Sequence, residues 1–499
     1  MPARLVRTPV PVLLLGAVGC AMLLPASYAF LSDSAPTGRA FLYSSIVLIL
    51  VALLLAIALI GGGGRRQANA LLPIFGAAYL LLPAAMALPL VEAVPELRFR
   101  DAWFEMVASF TTTGATLLDV PDLVSPAVHL WRGLVGWFGG LFILVAVMAL
   151  MAPLGLGGFE VIREKAQVPL MRADAGDDAA VRLRQQLGLV LPPYLAATAL
   201  VWAALASLGV PGFDALMQAM AALSTSGVLA QAGLGSIGLG AEIVLFVALI
   251  PALSLRLRPG PRGFERFAPQ RDPELVAAAG IMAVVIAVVV FRHIVAGADL
   301  PADEAYPALG RAIWGMAFNG LSFLTTAGLV SDDWVTMRAW SGLSPPGLLL
   351  VGLALMGGGV ATTAGGVKLL RMHAMARMGR VELERLIFPS LVVGGGAQAR
   401  LVASRGARAA WLLAMVFAMV GVVLVAILMI MGLRFETALV FGISALTTTG
   451  PLTQVAGEAP LLWSSLGDSA RGLLALAMIL GRLEILVLVA LVMARLGRN

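Results

Sequence analysis

Across its 499 residues the chain is 60% hydrophobic and only 12% charged. A soluble protein of this size carries about twice that charge, so a water-soluble globular protein is excluded and lipid is the expected solvent. The formal net charge of +6 does not point to nucleic acid. The basic residues sit between apolar spans, where the positive-inside rule puts them, and not on one hydrophilic face.

The first apolar run, Val10 to Phe30, follows Arg4 and Arg7. At about 20 residues it has the length of a span rather than of a signal-peptide core. Its Cys20, the sole cysteine, is expected to be a small buried residue, so no disulfide framework exists. The three histidines, His129, His293 and His373, are far apart and form no metal-ligand pattern. A second span, Phe41 to Ile60, makes a hairpin with the first.

Four units of one plan then follow: an outer span, a short half-apolar helix, a Thr/Gly phrase and an inner span. The first predicts Leu71 to Leu90, Ala102 to Phe110 and Val128 to Pro153. The second predicts Leu187 to Leu208, Phe213 to Leu223 and Leu239 to Leu255. The third predicts Leu275 to Val295, Ile313 to Leu324 and Leu348 to Leu370. The fourth predicts Ala409 to Met431, Glu436 to Leu446 and Leu473 to Met493. The expected organisation is a hairpin over 1–67 and pore repeats over 68–162, 180–258, 273–388 and 405–499. The short helices cover only about 15 Å, half a bilayer, and must enter and leave by one face. This predicts an all-α integral membrane fold with about ten crossings and pseudo-four-fold symmetry around one pore.

With the N-terminus inside, the inner linkers carry Arg65 and Arg66, Arg163 through Arg184, Arg256 through Arg271, and Lys368 through Arg408. The outer segments carry Asp33, Glu92, Glu96, Asp119, Asp122, Asp299, Asp303, Glu304, Asp332 and Asp333. This asymmetry supports the orientation. The stretch after Arg371 places Arg377, Arg380, Glu384 and Arg385 at helical spacing among Met372, Met375, Met378 and Leu386. It predicts an amphipathic helix at the inner face, suited to lipid or to a cytosolic subunit.

The repeated phrases read Thr111-Thr112-Thr113-Gly114, Ser224-Thr225-Ser226-Gly227, Thr325-Thr326-Ala327-Gly328 and Thr447-Thr448-Thr449-Gly450. A dehydrated cation needs a ring of oxygens, which backbone carbonyls and threonine hydroxyls supply. Gly114, Gly227, Gly328 and Gly450 permit the dihedrals this requires. Asp101, Glu105, Asp214 and Glu436 fall in or near the first turns of the short helices, the favourable end for an acid, and the helix C-termini favour a cation at the centre.

Gly357-Gly358-Gly359-Val360-Ala361-Thr362-Thr363-Ala364-Gly365-Gly366 interrupts the third inner span. At roughly 1 kcal/mol per glycine against alanine, the helix should break there into an intramembrane loop beneath the filter. Arg482 and Glu484 lie deep in the last apolar span. A charge at that depth must face protein or water. Arg482 is expected in the cavity under the filter, as a barrier to cations that the glycine loop tunes.

Asp101-Ala102-Trp103-Phe104-Glu105, Leu130-Trp131-Arg132 with Gly139-Gly140, Thr363-Ala364-Gly365-Gly366-Val367-Lys368 and Gly481-Arg482-Leu483-Glu484 resemble the Trk/Ktr/HKT superfamily of potassium transporters. The extra hairpin resembles its Trk-type membrane subunits. The resemblance implies potassium uptake across a bacterial inner membrane, with K+ as the transported ion and no organic cofactor. It implies a homodimer in the lipid bilayer, gated by a TrkA-like cytosolic subunit with nucleotide-binding RCK domains. It implies a filter from Thr112, Thr113, Gly114, Thr225, Ser226, Gly227, Thr326, Ala327, Gly328, Thr448, Thr449 and Gly450. The gate would comprise Gly357, Gly358, Gly359, Gly365, Gly366, Lys368 and Arg482. Sodium-preferring relatives can carry serine at the first filter glycine, so Gly114 implies potassium. Pro451 and the Ser226-Gly227-Val228 filter depart from strict repetition.

Two other transport readings stay open: a sodium- or proton-coupled symporter and the ion-conducting subunit of a pump. An inverted-repeat transporter expects broken helices in matching halves, whereas these repeats run one way and one span alone is glycine-broken. No HExxH, GxGD or GxSxG motif is present, so an enzyme is not expected.

Overall fold

The computed structural model describes residues 10–32, 34–59, 68–151, 179–231, 233–235, 237–257, 270, 272–296, 302–341, 347–388 and 397–483. Every regular element among them is helical. Helices α1 (Val10–Ala21) and α2 (Leu23–Leu31) make one rod broken at Met22, and α3 (Ala35–Ala58) returns beside it. The Ser45 hydroxyl donates to the Gly19 carbonyl at 2.7 Å. A β-carbon on Gly19 would meet Ile49 Cγ1 at 2.9 Å, so glycine lets the two helices close. Cys20 is exposed, not buried as expected. One residue is about 100° of helix rotation, and Gly19 takes the contact face.

The first unit comprises α4 (Ala68–Ala93), α5 (Phe99–Phe110) and α6 (Pro126–Ala146), and the second α7 (Ala179–Ser207), α8 (Gly212–Ser224) and α9 (Gly238–Leu249). The third comprises α10 (Pro273–Ala296), α11 (Ala302–Leu324), α12 (Trp334–Ser341), α13 (Gly347–Met356) and α14 (Leu369–Ile387). The fourth comprises α15 (Ala397–Ile430), α16 (Phe435–Leu446), α17 (Leu452–Val455) and α18 (Asp468–Arg482). Local chemistry sets the starts. Asp272 caps α10, its Oδ1 accepting the Glu274 N–H at 3.0 Å, and Pro273 occupies the first helical position, where no N–H is missed.

Two elements differ from the sequence expectation. Helix α11 runs 23 residues, beginning at Ala302 well before Ile313, and α12 was not foreseen. Seven helices among the described residues are long and apolar enough to span. Three expected inner spans fall short for separate reasons. After Leu249, α9 tightens into a 3-10 turn at Ile250–Leu253, where Pro251 lacks a backbone donor. The glycine loop divides the third. The predicted continuation of the fourth to Met493, with Glu484, lies outside the described residues, as does most of the basic inner linkers.

The packing order closes on itself. Each inner span packs on the next unit's short helix: α6 on α8, α9 on α11, α13 on α16, and α18 back on α5. Four short helices are thereby held around one centre. The hairpin docks on the first unit through fully buried Trp131, whose Nε1 donates to the Met86 carbonyl at 3.0 Å and whose ring meets Phe41 edge-on.

Candidate functional site

All four short helices end in the same hydrogen-bonded cap. The Thr112, Thr225, Thr326 and Thr448 amides donate three residues back, at 2.9, 3.3, 3.1 and 3.2 Å. The following Thr113, Ser226, Ala327 and Thr449 amides donate five residues back, at 2.8, 3.0, 2.8 and 2.9 Å. This is the Schellman geometry, whose left-handed position glycine normally fills. Here threonine fills it every time, with φ of 56°, 50°, 58° and 55°. A left-handed residue with a β-carbon costs roughly 1–2 kcal/mol, so each copy keeps a hydroxyl at an energetic penalty.

Gly114, Gly227 and Gly328 return to positive φ, at 72°, 61° and 70°, as expected. Left-handed residues on both sides of an ordinary one turn successive peptide dipoles to the same side. The fourth copy does not follow. Gly450 is absent from the left-handed region, unlike its three counterparts. The Thr449 carbonyl accepts the Ser444 hydroxyl at 2.6 Å, and the Gly450 carbonyl accepts the Thr453 hydroxyl at 3.1 Å. Pro451 then bars an extended return with a donor, and the chain enters α17.

The four phrases form a closed ring. A β-carbon on Gly114 would strike the Ser226 carbonyl, and one on Gly227 would lie 2.5 Å from the Ala327 carbonyl. On Gly328 it would meet the Pro451 ring at 2.9 Å, and on Gly450 the Thr113 carbonyl at 2.6 Å. The Gly450 amide also donates to that Thr113 carbonyl at 2.5 Å, joining the fourth copy to the first.

The hydroxyls of Thr112, Thr225 and Thr448 are buried without a hydrogen-bond partner. An unmade bond of that kind costs about 1–3 kcal/mol, so three equivalent oxygens are left for a guest. The neighbouring hydroxyls instead bond one another: Thr111 to Thr113 at 2.8 Å, Ser224 to Ser226 at 2.9 Å and Thr447 to Thr449 at 3.2 Å. Ala327 removes this pair from the third copy.

Support for the ring comes from residues nine before each glycine. Glu105 accepts the Thr116 hydroxyl at 2.9 Å and the Leu117 amide, and pairs with Arg132 Nε at 3.0 Å. Both charges are buried. Glu105 is therefore a brace in the body of α5, not an acid at its first turn, where Asp101 lies. Gln218 donates to the Leu234 carbonyl at 3.1 Å, and Asn319 accepts the Ser331 amide at 3.2 Å. Phe441 takes the fourth slot and packs edge-on against Trp463. The nine-residue spacing was the available signal for these positions, and the sequence reading missed it.

The third inner span breaks as expected. Val367 and Lys368 amides donate to Leu355 and Met356 carbonyls at 3.0 and 2.9 Å, closing the neck of a loop over 357–368. Gly357 and Gly366 lie back to back, a β-carbon on Gly366 meeting Gly357 Cα at 2.6 Å. Gly358 and Gly359 press against Ala252 and Leu253, and Gly365 lies 2.5 Å by the same measure from Thr448 Oγ1. The Gly365 amide donates to the Thr326 hydroxyl at 2.7 Å, so the loop touches two of the four left-handed threonines. Arg482 is buried, and its Nη1 donates to the Thr363 carbonyl at 2.6 Å. Lys368, also buried and at φ 84°, donates to the Ala364 carbonyl. The arrangement sets a ring of oxygens directly against a loop that is bonded to two buried cationic side chains. Beyond the ring, burial and the Glu242 and Asp333 carboxylates hold the Asp332 carboxyl above its ordinary range.

Comparisons with known proteins agree in kind. Residues 277–496 match the family profile described as "TrkH: Cation transport protein". The chain is similar to the Trk system potassium uptake protein TrkI of Halomonas elongata, 28% identical over 83% of this chain and 81% of that protein. It is also 28% identical to the Trk system potassium uptake protein TrkH of Salmonella typhimurium, over 83% of each chain. The crystal structure of the potassium transporter TrkH from Vibrio parahaemolyticus superposes with a TM-score of 0.77 at 24% identity, over 98% of both chains, and so shares the fold.

Proposed function

We propose, from the premise that this chain is a Trk-type, TrkH-like membrane protein, that it takes up potassium across the cell membrane through a channel-like pore. The observation that carries the reading is the closed ring of four threonine-capped helices with three buried, unpartnered hydroxyls at equivalent positions. Thr112, Thr225 and Thr448 hydroxyls supply oxygens to a dehydrated ion. The carbonyls of Thr112-Thr113-Gly114, Thr225-Ser226-Gly227 and Thr326-Ala327-Gly328 line the path on the outer side, the Thr113 oxygen through the lone pair that the Gly450 amide leaves open. The fourth copy, with Thr449 and Gly450 carbonyls engaged internally, contributes chiefly through Thr448. Helix C-termini on all four sides favour the cation.

The loop over 357–368 is the gate, and Arg482 with Lys368 sets an electrostatic barrier behind it. The N-terminus is cytoplasmic, so the loop faces the cell interior. Helix α14 continues directly from the loop and couples it to a cytosolic nucleotide-binding subunit; the working unit is a homodimer. The decisive experiment is rubidium uptake into liposomes holding the purified protein, without ATP and with graded sodium. Passive, sodium-resistant uptake is expected. Strict dependence on ATP would replace this reading with a pump subunit, and strict dependence on sodium or a proton gradient would replace it with a symporter.

A further inference from the structure

The glycine loop is held at Gly365 by Thr326 and at Thr363 by Arg482, and a second set of bonds holds it at Gly359, Val360 and Thr362. The Val360 amide donates to Glu274 Oε1 at 2.7 Å. The Gly359 amide and the Thr362 hydroxyl both donate to the Ala252 carbonyl, at 2.9 and 3.0 Å. Glu274 sits in the first turn of α10, and Ala252 in the 3-10 turn that ends the second inner span. These two supports are themselves pinned together. The Ser254 hydroxyl donates to Asp272 Oδ2 at 2.6 Å, while Asp272 Oδ1 accepts the Glu274 amide.

A neutral acceptor would satisfy the Val360 amide. The chain instead buries a carboxylate there, at 5% exposure, with the Asp272 carboxylate two residues away at 2%. Two like charges out of water are unfavourable unless a cation compensates. Arg256 Nε lies 4.0 Å from Asp272 Oδ2 and is the cation paired with this cluster, and Lys368, as buried as Glu274, closes the same loop at its far end. Glu274 thus holds the loop's beginning by a hydrogen bond, beside an Asp272 carboxylate that has its own cation in Arg256.

We propose that Glu274 is the positioning residue that seats the glycine loop across the pathway, acting through the Val360 amide, while Arg482 holds the loop at Thr363. The proposal rests on the gate reading above and adds to it the inner support. Opening then requires the loop to leave Glu274 while the ends of the second inner span and of α10 stay joined.

The test uses the full chain in liposomes, without any cytosolic subunit, and reads passive rubidium flux together with amide hydrogen exchange over residues 357–368. Glu274→Ala should raise flux about tenfold, the equivalent of losing one hydrogen bond to a charged group. Exchange should rise at Val360 and its neighbours while the remaining helices stay protected. Glu274→Gln keeps an acceptor for Val360 and loses the charge, so it should restore most of the Val360 protection and fall between wild type and Glu274→Ala in flux. A monodisperse Glu274→Ala protein with wild-type flux and wild-type Val360 protection overturns the proposal. If Glu274→Ala loses protection throughout, Glu274→Gln decides: a small rise in exchange confined to 357–368, with flux above wild type, supports the seat, and wild-type exchange with wild-type flux overturns it. Arg482→Ala is the control for the gate itself. Raised flux there with a silent Glu274→Ala sinks only the seat. Freed loop exchange in Glu274→Ala with no flux change in either variant sinks the gate reading and leaves the seat.

Discussion

The Thr326 hydroxyl accepts the Gly365 amide at 2.7 Å, joining the third left-handed threonine to the second half of the glycine loop. Its three counterparts have no such partner. One copy of the four-fold motif is therefore spent on holding the loop, and the symmetry of the ring is broken at the place where the loop docks.

Thr326→Val removes that acceptor and keeps the branched shape. It leaves a buried amide unsatisfied, at about 1–3 kcal/mol. Basal rubidium flux is expected to rise, with Thr326→Ser close to wild type. Equal flux in all three proteins would show that this bond does not restrain the loop.

Gly114→Ser should weaken the preference for potassium over sodium and lower uptake. The reason is geometric: any β-carbon at Gly114 strikes the Ser226 carbonyl, and φ of 72° disfavours a side chain. Reversal potentials in mixed salts measure it; wild-type selectivity would count against Gly114 as part of the filter.

Arg482→Ala should raise basal flux by removing a buried positive charge and its bond to the Thr363 carbonyl. Arg482→Lys, retaining charge without the planar fork, should fall between the two. A folded Arg482→Ala protein with unaltered flux would take Arg482 out of the gate.

Breaking the Glu105–Arg132 pair from one side, with Arg132→Met, strands a buried carboxylate. The expected loss is about 3–5 kcal/mol of stability, read as a lower thermal midpoint in detergent. Glu105→Gln should be milder, because its oxygen can still accept from the Leu117 amide. Equal midpoints for wild type and Arg132→Met would show the brace to be dispensable.

Acidifying the solution on the Asp332 side should protonate Asp332 at a higher pH than an ordinary aspartate, since burial and the Glu242 and Asp333 carboxylates raise its carboxyl from the usual value. Neutralisation lowers the local cation concentration, so uptake at low rubidium and low ionic strength should fall as pH drops. Asp332→Asn should flatten that part of the pH profile; an unchanged profile in the variant would assign the effect elsewhere.

The chain's own pattern determined the all-helical membrane class, the four Thr/Gly phrases in equivalent slots, the break in the third inner span and the placing of Arg482 near it. Each is a local matter of apolar run length, glycine content or a charge lacking water. Tertiary structure alone decided the rest. Which phrase abuts which, why Gly450 departs from the other three glycines, why Glu105 answers Arg132 and why Glu274 holds Val360 depend on contacts across 27 to more than 300 residues of sequence. The left-handed threonines belong to this second group. Propensity would put glycine there, and only a ring that closes around a shared centre gives four misplaced hydroxyls a common purpose.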